Sequence, residues 1–372
     1  MAALNCVLAL NIGSSSIKFA VYTAAEELRL KGKVERIGLE NSSLHVTDSD
    51  GVVLRDERRP LADHNAALES VLECATVHKL QAVGHRLVRG GADDRDPQPV
   101  TPELLGRLRE MIPYFPDHLP YQVRAIEKVA ALNAGLRQVV AFDTSFHRRM
   151  PRLAQLYPLP RDLFDEGILR YGFHGLSYEY VLGELAREAG NAVARGRVVI
   201  AHLGNGCSMA AIRDGRPVDT TMGFTPTGGL MMSSRSGDLD PEVILYLLQR
   251  KNLTPAEVND IVNRKAGLVG VSGTSSDMRD LAERRATDPR AAEAVELFCY
   301  QARKFLGAMA AALGGIDTLV FTGGIGENAP EIRKCICHGM EYLGLSGDSV
   351  RVIATNEELM IARHAIATIN KS

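Results

Sequence analysis

The chain opens on an apolar run of strand length, CVLALN (residues 6–11), which breaks at the small polar turn GSSS and resumes as IKFAVY (residues 17–22). That pattern predicts a β-hairpin with a polar tip. It recurs where RVVIAHL (residues 197–203) runs into GNG and then CSMAAI, closing on the turn RDG. Aligning Gly13 with Gly204 also aligns Asn11 with His202, Ile12 with Leu203 and Ser14 with Asn205; the offset, 204 − 13 = 191, is close to half of the 372 residues. A duplicated architecture and two unrelated hairpins both fit a match this short.

Between and after the hairpins the period lengthens. TPELLGRLREMI (residues 101–112) sets Thr101 and Pro102 in cap and first-turn positions, and TPAEVNDIV (residues 254–262) sets Thr254 and Glu257 at capping-box spacing, so both predict helices. Pro289–Leu313 reads as one long helix stopped by Gly314 and Gly315, and DTLVFT after it as a buried strand. Strands alternating with helices predict α/β layers. The proline-studded stretch 150–160 should interrupt any helix and serve as a linker, which puts a domain boundary near Pro151.

Composition agrees with two globular domains: 372 residues, 45% hydrophobic and 24% charged, can bury ample cores. A net charge of −2 offers no bulk attraction for nucleic acid or anionic lipid, so any anion site has to be built locally. Cys6, Cys74, Cys207, Cys299, Cys335 and Cys337 lack zinc-site or disulfide-framework spacing, and a reducing cytoplasm is expected. The start, MAALNCVLAL, lacks the basic flank of a signal peptide, and no apolar stretch reaches the roughly 20 residues needed to span a bilayer; neither export nor membrane insertion is expected.

Several local patterns suit phosphate chemistry. GSSSIK (residues 13–18) offers backbone N–H groups, hydroxyls and a lysine to an anion without being a Walker loop, and GNGCS (residues 204–208) is a similar tip; each also fits an ordinary polar turn. FTGGIGEN (residues 321–328) puts paired glycines after a buried strand and ahead of a helix opening near Ala329 and Pro330, where a flat adenine or ribose could approach the backbone; a tight strand-to-helix turn fits as well. GHRLVRGG (residues 84–91) and MMSSRSGD (residues 231–238) each fix an arginine, Arg86 and Arg235, among small residues, as anion clamps or as surface charges. Asp143 follows the apolar run VVAF, where ligands gather in α/β sheets, and could bind Mg²⁺, orient a nucleophile or form an Asx turn. His174, between aromatic and glycine residues in RYGFHGLS, could donate to a phosphoryl group or be a satisfied structural histidine.

Read in order, LNIGSSSIKF, GHRLVRGG, AFDTSFH, RYGFHGLSYEY, AHLGNGCS, DTTMGFTPTGGLMMSSRSGDLDPE, SGTSSDMRD, FTGGIGENAPEIR and TNEELMIAR closely resemble the successive blocks of the acetate kinase (acetokinase) family, in the superfamily of sugar kinases, Hsp70 and actin. The resemblance implies an α/β fold of two ribonuclease H-like, actin-like ATPase domains, 1–150 and 151–357, with a nucleotide cleft between them, a C-terminal helix (residues 358–372) returning to the first domain, and a homodimer formed through the second. It implies reversible transfer of the ATP γ-phosphoryl group to acetate, giving acetyl phosphate and ADP, with Mg²⁺ or Mn²⁺ held by Asn11 and Glu357. Ser14, Ser16, Lys18, His202, Leu203, Gly204, Asn205 and Gly206 would meet the phosphates. Asp277, Met278, Arg279, Gly324, Ile325, Gly326 and Asn328 would lie on the adenosine side. Arg86, Arg235, His174 and Asp143 would be catalytic, and Arg86, Val88, Phe173 and Pro226 would bind the acid. A carboxylate is a competent nucleophile at neutral pH, so such a site needs positioning and charge neutralisation rather than a strong base.

Two stretches depart from the family pattern. Residues 223–229 read GFTPTGG where GFTPLEG is usual, and residues 115–120 read FPDHLP where APLHNP is usual, so that Asp117 stands in place of a leucine of the acyl pocket. A buried carboxylate there would repel a small acid, which keeps propionate, butyrate or a more polar acid in contention; we expect Asp117 to turn to solvent, because Pro116 and Pro120 bracket a turn. A sugar kinase would want a carboxylate base where these motifs supply arginines. A non-catalytic nucleotide-gated clamp would have no use for Arg86, Arg235 and His174.

Overall fold

The computed structural model describes residues 5–91, 94, 96–115, 118–133 and 135–371, and the chain divides into two units, Met1–Ser145 with Asn356–Ser372, and Phe146–Thr355. In the first unit, β1 (Cys6–Ile12), β2 (Ser16–Thr23), β3 (Leu28–Glu35), β4 (Ser43–Asp48), β5 (Val53–Arg58), β6 (Leu80–Leu87), β7 (Gln98–Pro99) and β8 (Arg137–Phe142) form a sheet of order β5-β4-β3-β2-β1-β6-β8-β7. β1 to β5 make an antiparallel meander, and β1, β6 and β8 run parallel. β1 is apolar along nearly its whole length because both its faces are covered. Leu8, Leu10, Ile17 and Phe19 pack with Leu68 and Val71 of the helix His64–Ala75. Leu87, Val140 and Phe142 pack with Leu104 and Leu108 of the helix Pro102–Met111 and with Val123 and Ile126 of the helix Leu119–Leu132. The last helix, Glu357–Ile369, lies across β1, β6 and β8.

In the second unit, β9 (Val198–Leu203), β10 (Cys207–Arg213), β11 (Arg216–Thr220), β12 (Thr318–Thr322) and β13 (Val350–Val352) form a sheet of order β11-β10-β9-β12-β13. β9 to β11 are antiparallel, and β9, β12 and β13 parallel. This repeats the plan of β3-β2-β1-β6-β8: a three-stranded meander, then two parallel strands on the far side of its first strand. The two hairpins of the sequence are therefore corresponding elements. Val198, Ile200, Ala210 and Val320 pack under the helix Gly175–Ala189 through Tyr178, Val181 and Leu185, and the helix Pro289–Leu313 lies along β9 to β11.

The expected helix ends are capped as their sequences imply. Thr101 Oγ1 accepts from the Leu104 N–H, Thr254 and Glu257 form a reciprocal capping box, and Pro289–Leu313 ends at Gly314 in the left-handed conformation. Two other expectations need amending. A helix does open at Pro330, running to Cys337 behind an N-cap at Ala329, but the glycine-rich stretch ahead of it is itself helical, Gly323–Asn328, rather than a turn. The proline-studded stretch holds a short helix, Arg152–Gln155, because Pro151 stands at its N-cap, where a ring and a missing N–H cost nothing. Among the described residues no helix is long and apolar enough to cross a membrane, and all six cysteines are free thiols.

Candidate active site

The carboxyl ends of β1, β6 and β8 gather one set of the residues singled out above. Asn11, the penultimate residue of β1, pairs in register with Lys18 on β2, so the two side chains stand on one face of the sheet. Asn11 Nδ2 donates to Glu357 Oε2 at 2.9 Å and to Glu358 Oε1 at 3.1 Å. Both carboxylates open the last helix, which Asn356 caps through the Leu359 N–H and whose N-terminal dipole favours negative charge. Arg86, penultimate in β6, grips both oxygens of Asp143 in a two-pronged pair, Nε to Oδ1 at 3.0 Å and Nη2 to Oδ2. Burial alone would depress the Arg86 pKa, but Asp143, with Glu357 and Glu358 nearby, raises it above the ordinary arginine value. Asp143 is buried, so this pair would be expensive to break from either side. Val88 is buried beyond the end of β6; of the polar turn, Ser14 and Lys18 are exposed and Ser16 half-buried.

In the second unit His174 caps the helix Gly175–Ala189 from a left-handed conformation, φ 58°, after the buried Phe173, whose carbonyl accepts from His147 Nε2 at 2.9 Å. Its ring stacks on that of His202 at 4.1 Å, and Ser177 Oγ holds His202 Nδ1 at 2.8 Å. His174 Nδ1 lies 2.8 Å from Ser208 Oγ, which is also bonded to the Tyr178 hydroxyl. Burial lifts the Tyr178 pKa far above the usual phenol value, so the phenol keeps its proton and donates to Ser208 Oγ. The Ser208 hydroxyl proton can then go to His174 Nδ1, the arrangement that leaves His174 Nε2 as a donor. A Cβ placed on Gly206 would lie 3.2 Å from His174 Nε2 and 3.7 Å from Arg235 Nη1, so an N–H of each flanks the same point of the GNG turn. Arg235 Nη1 also donates to the Pro226 carbonyl at 3.2 Å, and Ser233 N–H donates to the Asn205 carbonyl. The Arg235 loop leans on Gly267, φ +64°, where a Cβ would meet Met232 O at 2.2 Å and Arg235 O at 2.8 Å.

The residues expected on the adenosine side have local partners. Asp277 caps the helix Met278–Arg284 through the Arg279 N–H and also accepts from the exposed Arg279 guanidinium, while Met278 is buried. Gly324, Ile325 and Gly326 lie within the helix Gly323–Asn328, whose Asn328 Nδ2 donates back to Gly324 O at 3.0 Å. Asp117 and Pro116 lie outside the described residues. Among the described residues no cluster of three or more His, Cys, Asp and Glu converges as a metal cage. Sequence reasoning missed Glu358, Ser208, Tyr178, Gln122 and Gly267. Gln122 had a detectable signal: it is the polar exception on the apolar face formed by Leu119, Val123, Ile126 and Val129.

The model of the acetokinase family matches residues 6–367. An acetate kinase of Rhodopseudomonas palustris (strain TIE-1) is 46% identical, the match covering 96% of this chain and 97% of that one. The crystal structure of Porphyromonas gingivalis acetate kinase superposes with a TM-score of 0.86 at 36% identity, covering 98% and 100% of the two chains. That of a propionate kinase from Francisella tularensis subsp. tularensis SCHU S4 gives 0.87 at 33% identity, covering 97% and 99%. With a family model spanning almost the whole chain and a fold shared over its full length, this protein belongs to the acetokinase family.

Proposed function

We propose that the protein is an acetate kinase, moving the γ-phosphoryl group of ATP reversibly onto the carboxylate of acetate by direct in-line transfer. The observation that carries this reading is the pair of N–H donors, His174 Nε2 and Arg235 Nη1, flanking the GNG turn. Fixed donors at the place where negative charge spreads over a phosphoryl group are what such a transfer needs, because the attacking carboxylate requires no base. Ser14, Ser16, Lys18, His202, Leu203, Gly204, Asn205 and Gly206 are assigned to the phosphates, and Asp277, Met278, Arg279, Gly324, Ile325, Gly326 and Asn328 to the adenosine. Arg86, oriented by Asp143 through Nε and Nη2, makes no bond through Nη1 among the described residues and is assigned to the acid carboxylate, with Val88, Phe173 and Pro226 around the acyl group. Asn11 and Glu357, with Glu358 beside them, present hard oxygen donors that suit Mg²⁺, which when bound would neutralise phosphate charge. A homodimer in the cytoplasm completes the proposal. It is supported by the helix Pro241–Gln249, which buries none of its residues and exposes Val243, Leu245 and Tyr246.

A propionate kinase is the second reading, favoured by the solved neighbour of that name at 33% identity. Hydroxamate trapping with ATP, Mg²⁺ and a panel of acetate, propionate, butyrate and glycolate separates the two. The expected outcome is the highest kcat/KM with acetate, and absence of acyl hydroxamate with every acid would reject carboxylate phosphorylation altogether.

A further inference from the structure

We infer that Gln122 is a positioning residue whose carboxamide holds the carboxyl ends of β1 and β6 apart at a fixed distance, setting the spacing between the 13–18 turn and the Arg86–Val88 segment. The parallel ladder between these strands runs to the pair Leu10 and His85 and stops there. Beyond it Gln122, from the helix Leu119–Leu132, stands in for the missing rungs: its Oε1 accepts from the Val88 N–H at 3.1 Å and its Nε2 donates to the Ile12 carbonyl at 3.1 Å. The side chain is 1% exposed. Had the ladder continued, the two strand ends would sit roughly 4.8 Å apart and no crevice would open between them. A carboxamide offers a donor and an acceptor in one plane and so imitates a peptide group in both directions. The neighbouring residue adds a second hold. Tyr121 stacks on His64 at 4.0 Å, and His64 Nε2 donates to the Gly13 carbonyl at 2.9 Å, so two adjacent helical positions govern two adjacent carbonyls at the start of the turn.

The consequence for catalysis rests on the reading above, in which the 13–18 turn meets phosphate and Arg86 meets the acid. On that reading the carboxamide sets how far the acid stands from the phosphate turn, and an error of an ångström costs transfer rate rather than binding. The test uses Gln122→Met, which keeps length and volume without hydrogen bonds, and Gln122→Glu, which keeps an acceptor for Val88 and can donate to Ile12 only in the protonated form that burial favours. Both are assayed well below their melting temperatures. We expect kcat to fall at least about tenfold in Gln122→Met, while KM for ATP and for acetate each change less than about threefold, with a smaller loss in Gln122→Glu. Hydrogen exchange at the Val88 amide should accelerate in Gln122→Met and stay slow in Gln122→Glu. Wild-type kcat in a folded Gln122→Met protein, or a loss confined to melting temperature, would overturn the inference. If Gln122→Met fails to fold, Gln122→Leu decides, since it too lacks both hydrogen bonds and a kcat equal to wild type in that variant also overturns the inference. Should the wild-type protein phosphorylate no acid, the functional reading falls separately, and unchanged Val88 exchange would then still reject the amide bridge.

Discussion

At the scale of single residues, the proposed site depends on where its donors stand. His174 is assigned as a donor through Nε2, on the arrangement in which the Ser208 hydroxyl gives its proton to Nδ1. Arg235 supplies the permanent charge beside it. Replacing Arg235 with alanine should lower kcat by about 10³-fold with little change in KM for ATP, and near-normal turnover in the folded variant would remove it from the reaction. Two other histidines govern stability. Burial pushes His85 and His147 down to about 4, and each donates through Nε2 while its Nδ1 faces the core. Between about pH 4 and 6.5 the unfolded chain binds protons that these folded sites refuse, so stability is complete above about pH 6.5 and is lost as pH falls. Each site contributes at most about 1.4 kcal/mol per pH unit across that window. Urea unfolding at pH 7 and pH 5 should show this slope, and His147→Gln should flatten it; an unchanged slope in that variant would refute the assignment. None of this was legible in the sequence, where a histidine among aromatic residues looks the same whether it is buried and neutral or exposed and titrating.

At the scale of elements, much of the fold could be read directly. The runs 6–11 and 17–22 became β1 and β2, 197–203 became β9, and the long helix begins and ends where proline and glycine said it would. These are local signals, and local physics decides them. The stretch after β12 misled because paired glycines look like a turn. In the fold the Glu327 carboxylate accepts from the Gly323 N–H and from the Thr355 N–H, the latter 28 positions away, and Arg333 Nη1 donates to the Gly326 and Glu327 carbonyls, so bonds from outside the stretch help to hold the short helix. The strand ends carrying Asn11, Arg86 and His202 were visible as motifs, whereas of the parts that brace them only Gln122 left a trace, as a polar exception on an apolar helix face. Gly267 lies 32 positions beyond Arg235, and nothing in its sequence neighbourhood says that the Arg235 loop presses on it. Gly267→Ala should therefore shift that loop and lower kcat by roughly tenfold or more at temperatures where the variant remains folded, since small displacements of a positioned charge are costly. A fall in melting temperature with full kcat would show that the clash relaxes away from Arg235.

At the scale of the whole molecule, the topology repeated in the two sheets was foreshadowed by a ten-residue match, while the surface through which copies would associate had no motif at all. The helix Pro241–Gln249 reads PEVILYLLQ, a sequence suited to a core, yet none of it is buried within one chain. An apolar helix left in water is costly, and a second copy would relieve the cost. Val243 and Tyr246, three positions apart, share a face of the helix, and both are exposed, as is Leu239 just before it. Two such helices crossing antiparallel about a twofold axis through Tyr246 would set Glu242 of each opposite Arg250 of the other, so the charges at the ends agree with the apolar middle. The wild-type protein should then sediment at twice the 40.4 kDa of one chain at micromolar concentration, and Tyr246→Glu, which would bury two like charges at the axis, should sediment near 40.4 kDa with its melting transition still cooperative. A wild-type protein that sediments as a monomer would exclude the homodimer itself. A Tyr246→Glu variant that remains dimeric would move the interface to another face and leave the exposure of this helix to be accounted for by a different partner.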